Sequence, residues 1–214
     1  MIQMSISTKP LFISFEGIDG CGKTTQVKML MERLSKHQIE SCLVREPGGT
    51  KISEEIRKIL LKNRDDKMSS RTEALLMTAS RAQLTKDIII PQLDSGKWVV
   101  ADRFKDSTLA YQGGGRGIDL NILLKLNHFA TYEKDPDITF FIDLTADECN
   151  KRRTKLNLDR IENDGITFQT NVREQYLKLS NMFSERFVII DGKNSFDELH
   201  RIIWAEINHR KNLI

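Results

Sequence analysis

The segment Gly17-Ile-Asp-Gly-Cys-Gly-Lys-Thr24 places two glycines, a lysine and a hydroxyl at the spacing G-x-x-x-x-G-K-[ST]. Glycines at these positions let backbone N–H groups turn inward around phosphate oxygens, and a helix starting after the loop adds the positive end of its dipole. The spacing assigns Gly17, Ile18, Asp19, Gly20, Cys21, Gly22, Lys23, Thr24 and Thr25 to a nucleoside triphosphate such as ATP. Lys23 is expected at the β and γ phosphates, and the Thr24 hydroxyl at Mg²⁺. Asp19 is an unusual neighbour for a triphosphate, because like charges repel. Cys21 reads as a small spacer or as a thiol activated by the helix N-terminus and Lys23.

A phosphate loop needs a strand before it and a helix after it. Leu11–Phe15 is a short apolar run, and Val27, Leu30, Met31 and Leu34 recur on one helical face. Further apolar runs at Cys42–Val44, Trp98–Ala101, Ile138–Leu144 and Phe187–Asp191 alternate with helical patterns. Ser70-x-x-Glu73, Thr145-x-x-Glu148 and Ser195-x-x-Glu198 spell capping boxes at helix starts. The alternation predicts an α/β fold, a parallel sheet of about five strands with helices on both faces. In such sheets ligands lie beyond the carboxyl ends of the strands. The glycine loop, Arg45-Glu-Pro-Gly-Gly49 and Asp102-Arg103 all follow strand ends, so they are expected to share one cleft. Gly113–Gly117 and residues 151–165 read as mobile loops.

The 214 residues fit a single domain, 1–214. A net charge of +3 without runs of like charge argues against nucleic acid as partner. No apolar stretch is long enough for a membrane span. Three cysteines at unrelated spacings point to a reducing, cytoplasmic setting rather than a disulfide framework. The loop alone does not fix the reaction. No Asn-Lys-x-Asp guanine motif is present, and the several arginines suit a kinase with an anionic acceptor.

Arg45-Glu-Pro-Gly-Gly49, Asp102-Arg-Phe104, Tyr111-Gln-Gly-Gly-Gly-Arg-Gly117 and Leu158-Asp-Arg-Ile161 together resemble the bacterial thymidylate kinases, in order and over nearly the whole chain. The resemblance implies transfer of a phosphoryl group from MgATP to dTMP, and a homodimer. It puts Arg45, Arg57 and Arg103 around the acceptor phosphate, Asp19 at the deoxyribose 3′-hydroxyl, and Glu46 near the sugar or metal. It puts Arg81 at a pyrimidine carbonyl, and Thr108 and Gln112 at the base edge, while Asp102, ending an apolar run like the second acidic residue of P-loop enzymes, is expected on Mg²⁺ with Thr24. Met77 stands where the pattern has a phenylalanine stacking on the base. Residues 151–165 resemble a lid. Gly20 leaves the phosphate loop without an arginine, so the lid has to supply one: Arg153 first, then Arg160, with Lys155 third. Another nucleoside monophosphate or deoxynucleoside kinase, or a non-catalytic nucleotide-binding protein, are the alternatives.

Overall fold

A computed structural model describes residues 9–63, 65, 67–152 and 158–211. Its centre is a five-stranded sheet of β1 (Phe12–Glu16), β2 (Ser41–Arg45), β3 (Trp98–Asp102), β4 (Ile138–Asp143) and β5 (Phe187–Asp191), in spatial order β2-β3-β1-β4-β5. Every neighbouring pair is parallel. The expected α/β fold is therefore the observed one, each strand within about a residue or two of its apolar run. Side chains alternate across the sheet. Phe12, Val99 and Ala101 enter one apolar cluster, while Ile13, Phe15 and Val100 enter the other. Helices cover both clusters, so the central strands β1, β3 and β4 are buried and read as continuous apolar runs, while the edge strands β2 and β5 are partly exposed.

From β1 the chain enters α1 (Lys23–Lys36), whose Val27, Leu30 and Leu34 are buried as their spacing requires. After β2 come α2 (Lys51–Leu61) and α3 (Ser70–Leu84), and α3 continues through a π-helical turn (Thr85–Ile89) into α4 (Ile90–Asp94). After β3 a short α5 (Lys105–Thr108) runs into a second π-helical stretch (Leu109–Gly115), followed by α6 (Leu120–Ala130). The rest of the chain supplies α7 (Ala146–Arg152), α8 (Gly165–Met182) and α9 (Phe196–Lys211).

The register aligns the ends that matter. Phe15 of β1 pairs with Asp102 of β3, and Asp102 pairs with Arg45 of β2. The residues following β1, β2 and β3 therefore leave the sheet at one level. The order changes direction around β1: the chain first builds β2 and β3 on one side, then crosses to β4 and β5. Open α/β sheets hold ligands at such a point.

Two local expectations are corrected. The expected cap at Ser70 is displaced by one residue, because Ser69 is the N-cap and accepts the Thr72 N–H at 3.1 Å. Glu73 does not reach back to the cap, having a tertiary set of partners described below. The box at Thr145 forms as expected, with Glu148 N–H on Thr145 Oγ1 and Thr145 N–H on Glu148 Oε2. The glycine run Gly113–Gly117 is not an open loop either. Gly113–Gly115 complete the π-helical stretch, and Gly114 and Gly115 lie so close to α8 that a Cβ on Gly115 would come within 2.3 Å of the Phe168 ring.

Candidate active site

One cavity of about 950 Å³ opens at the carboxyl ends of the strands. Its middle is the glycine loop. Gly17, Gly20 and Gly22 all have positive φ, which lets the backbone between β1 and α1 coil tightly. Gly17 is also a close approach, since a Cβ there would stand 2.7 Å from the Ile142 carbonyl. Asp19, Gly20, Gly22, Lys23, Thr24 and Thr25 line the cavity, whereas Ile18 and Cys21 are buried behind it. Lys23 Nζ donates to the Gly17 and Ile18 carbonyls, each at 2.9 Å. The Cys21 sulfur is wholly buried with Lys23 Nζ 3.7 Å away, which is the setting of a spacer rather than of an accessible reactive thiol. Thr24 Oγ1 donates to Asp102 Oδ2 at 2.9 Å, so the hydroxyl of α1 and the carboxylate ending β3 stand side by side.

Arg103, the next residue, has φ +72°, a left-handed conformation that a side chain makes costly. Its N–H bonds to the Phe15 carbonyl, and its guanidinium donates to the Gly17 carbonyl at 2.8 Å and to Asp19 Oδ1 at 2.5 Å. The Tyr111 hydroxyl donates to the other Asp19 oxygen at 3.0 Å. Burial alone would raise the Asp19 carboxyl, but the Arg103 guanidinium and the Lys23 ammonium outweigh it and hold the carboxyl well below the usual range. A negative charge thus sits beside the glycine loop, matched by arginine.

The segment after β2 brings more positive charge. Arg45 pairs with Glu54 at 2.7 Å, and Arg57 of α2 donates to the Pro47 carbonyl at 2.8 Å. The Arg57 guanidinium is less basic than an exposed one, first through burial, then through the like charge of Arg45 and, more weakly, of Arg103. Arg45, Arg57 and Arg103 therefore feel one another across the cavity they line. With Arg45 paired to Glu54 and Arg103 to Asp19, the three guanidiniums lie close enough together to receive an anion between them.

At the β2 edge the lining changes to Glu46, Met77, Arg81, Thr108 and Gln112. Arg81 is 1% exposed. Its Nε and Nη2 donate to Glu46, Nη2 also to the Phe104 carbonyl, and Nη1 to Thr108 Oγ1 and Asn127 Oδ1. All five N–H groups of the guanidinium are used within the protein. Arg81, expected from the sequence at a base carbonyl, thus lines the cavity with its guanidinium bonded to Glu46, Thr108, Asn127 and Phe104. Met77 is half-buried one turn before Arg81, facing the cavity.

The lid residues divide. Arg153 and Lys155 lie outside the described residues. Their neighbour Arg152, at the end of α7, lines the cavity. Arg160 turns elsewhere: its Nη2 pairs with Glu73 at 2.7 Å and its Nε donates to the Leu60 carbonyl at 2.8 Å. Across the cavity, Lys193, Asn194, Ser195 and Phe196 follow β5 and form the wall on the opposite sheet edge. Gln26 of α1 donates to the Phe196 carbonyl at 2.8 Å, fixing that wall to the glycine loop. Sequence reasoning missed this wall, Arg152 and the Tyr111 contact, although Tyr111 falls inside a motif it singled out.

The family model described as thymidylate kinase matches residues 15–203. A curated thymidylate kinase from Caldanaerobacter subterraneus subsp. tengcongensis is 47% identical over 192 residues, 90% of this chain and 92% of that protein. Those from Kosmotoga olearia and Chlorobaculum tepidum are 45% and 43% identical, over 92% of this chain in each case and 94% and 97% of their own lengths.

Proposed function

The chain belongs to the thymidylate kinase family, and from that premise we propose that it transfers the γ-phosphoryl group of ATP to dTMP, giving dTDP and ADP. The observation that carries the reading is the meeting of two unlike sites in one cavity. A triphosphate-type glycine loop stands beside a three-arginine anion site, Arg45, Arg57 and Arg103, with a buried polar floor beyond it. A protein that only bound nucleotide would need no second anion site.

The acceptor is a phosphate monoester dianion that the triphosphate repels, so catalysis rests on cations that hold both in line and take up charge during transfer. Arg45, Arg57 and Arg103 hold the acceptor phosphate. The loop N–H groups and Lys23 hold the donor phosphates, with Gly17 through Thr25 as the cradle. Asp19, kept ionised by Arg103, accepts the 3′-hydroxyl of the acceptor sugar, and Glu46 closes the sugar side through its pair with Arg81. Met77 lies against the pyrimidine, where a polarizable thioether packs on a ring, and Thr108 and Gln112 face its edge. The donor nucleoside lies toward Lys193–Phe196. Gly20 has no side chain to offer at the transferred phosphate. Arg153 supplies that charge from the segment whose Arg152 already lines the cavity, and Arg160 braces it.

The residues present suit Mg²⁺. Thr24 and Asp102 offer hard oxygen donors 2.9 Å apart, and among the described residues no cluster of three or more His, Cys, Asp or Glu side chains is placed to enclose a metal. Mg²⁺ commonly binds through one or two protein oxygens with water and phosphate completing the shell. Thr24 and Asp102 would hold it, and it would neutralise charge on the β and γ phosphates.

We also read the molecule as a homodimer. Leu75 of α3 and Ile122 and Phe129 of α6 are exposed by 55%, 55% and 81%, on helices that pack side by side. The reaction belongs in the cytoplasm, consistent with three unpaired thiols. Among the described residues no helix is long and apolar enough to cross a membrane.

Steady-state kinetics with ATP and dTMP, dUMP, dCMP, AMP or thymidine test the proposal. The expected result is the highest kcat/KM for dTMP. Preference for AMP or thymidine would replace it with another kinase activity.

A further inference from the structure

At the pyrimidine end of the cavity, Arg81 in its lining and Glu73 behind it are two buried charges. Arg81 donates all five N–H groups to Glu46, Thr108, Asn127 and Phe104. Glu73 of α3, also 1% exposed, accepts from Gln112 Nε2 at 2.9 Å and from Arg116 Nε and Nη2 at 2.9 and 3.0 Å, and forms an ion pair with Arg160 Nη2 at 2.7 Å. Burial would raise the Glu73 carboxyl, but hydrogen bonds from Arg116 and Gln112 prevail and hold it below the ordinary range. It is ionised at neutral pH and can only accept.

These two charges leave their cavity-lining partners no choice of orientation. An acceptor-only carboxylate requires the Gln112 NH₂ to face it, so the Gln112 oxygen is the atom left over. Among the described residues no donor reaches that oxygen. A donor-only guanidinium requires Thr108 Oγ1 to accept, which leaves the hydroxyl proton free to be given. Among the described residues no acceptor takes it. Thr108 and Gln112 are one helical turn apart, so the cavity wall presents a donor followed by an acceptor. The complementary edge is a carbonyl next to a ring N–H, as in thymine and uracil. Cytosine carries an amine beside an unprotonated ring nitrogen, the reverse order.

We propose that Glu73 is a positioning residue for pyrimidine choice: by fixing the Gln112 amide as an acceptor, with Arg81 fixing Thr108 as a donor, it selects a base whose N3 carries hydrogen over cytosine. The proposal rests on the cavity being the dTMP site. Its logic is that of sites which reject a substrate by leaving buried polar groups mispaired.

The test compares kcat/KM for dTMP and dCMP in the full-length wild type, Glu73→Gln and Arg116→Gln. A glutamine at 73 can accept or donate, which frees the Gln112 amide to turn over. The dTMP-to-dCMP ratio is expected to narrow by about tenfold or more in Glu73→Gln. Arg116→Gln removes a different Glu73 partner and leaves the Gln112 bond, so it should move both substrates together and keep the ratio. An unchanged ratio in Glu73→Gln, or equal narrowing in Arg116→Gln, overturns the proposal. If Glu73→Gln does not fold, Gln112→Leu keeps the arginine pairs of Glu73 and removes the acceptor; a ratio like wild type there is equally fatal. A wild type that fails to phosphorylate dTMP overturns the thymidylate kinase reading itself, whereas normal dTMP turnover with an unmoved ratio overturns only the role of Glu73.

Discussion

Glu16 ends β1 fully buried, one residue before the glycine loop. It accepts from the Phe104 N–H at 2.8 Å, the Ser107 hydroxyl at 2.6 Å and the Tyr176 hydroxyl at 2.7 Å. Burial, then the charge of Asp106, push its carboxyl up from 4.5 to about 7, against those bonds and Arg103. The folded protein therefore keeps a proton that the unfolded chain sheds above about 4.5. Stability from this group is complete below that pH and is lost as pH rises toward about 7. A carboxyl ¹³C titration should find a Glu16 midpoint near 7; a midpoint below 5 would contradict the account. At this scale the sequence showed residues whose chemistry follows from position in the chain: Lys23 and Thr24 in a motif, Arg45 and Asp102 at strand ends. Glu16, Glu73 and Tyr111 were not legible as site residues, because their roles depend on partners distant in sequence. Glu73 meets Arg116 and Arg160, 43 and 87 positions away, and nothing local announces it.

Helices and strands were read best where one physical signal decided them. The apolar runs became the five parallel strands, and in β1, β3 and β4 burial on both faces leaves no alternation to misread. Capping spellings were less dependable. Thr145 and Glu148 form their box, but Ser70 and Glu73 do not, since bonds to two arginines and an amide outweigh a single cap bond. The glycine run at 113–117 was misread for a similar reason. Its glycines serve close packing against α8 rather than freedom of the chain. Gly115→Ala should accordingly cost about 1–3 kcal/mol, the usual range for overpacking, because its Cβ would meet the Phe168 ring. Urea unfolding measures this, and a variant as stable as wild type would show that α8 can give way freely.

Over the whole molecule, the sheet brings the parts of the cavity together at the carboxyl ends of its strands. Arg45 ends β2, Arg103 follows β3, the glycine loop follows β1, and the far wall follows β5 beyond β4. The sequence revealed that convergence without showing the wall, since Lys193–Phe196 carries a helix-cap spelling at Ser195 but no ligand-binding motif. The proposed homodimer would form outside this cleft. If α3 and α6 form the contact between two copies, Phe129→Glu should convert a dimer to a monomer in sedimentation equilibrium; a wild type that is already monomeric removes the contact. The central claim is transfer between two nucleotides held in one cavity. Incubation of the purified protein with MgATP and dTMP, followed by ³¹P NMR, tests it most directly. The account predicts dTDP and ADP appearing in equal amounts, with no ADP formed when dTMP is left out. ADP accumulating without dTDP would contradict it.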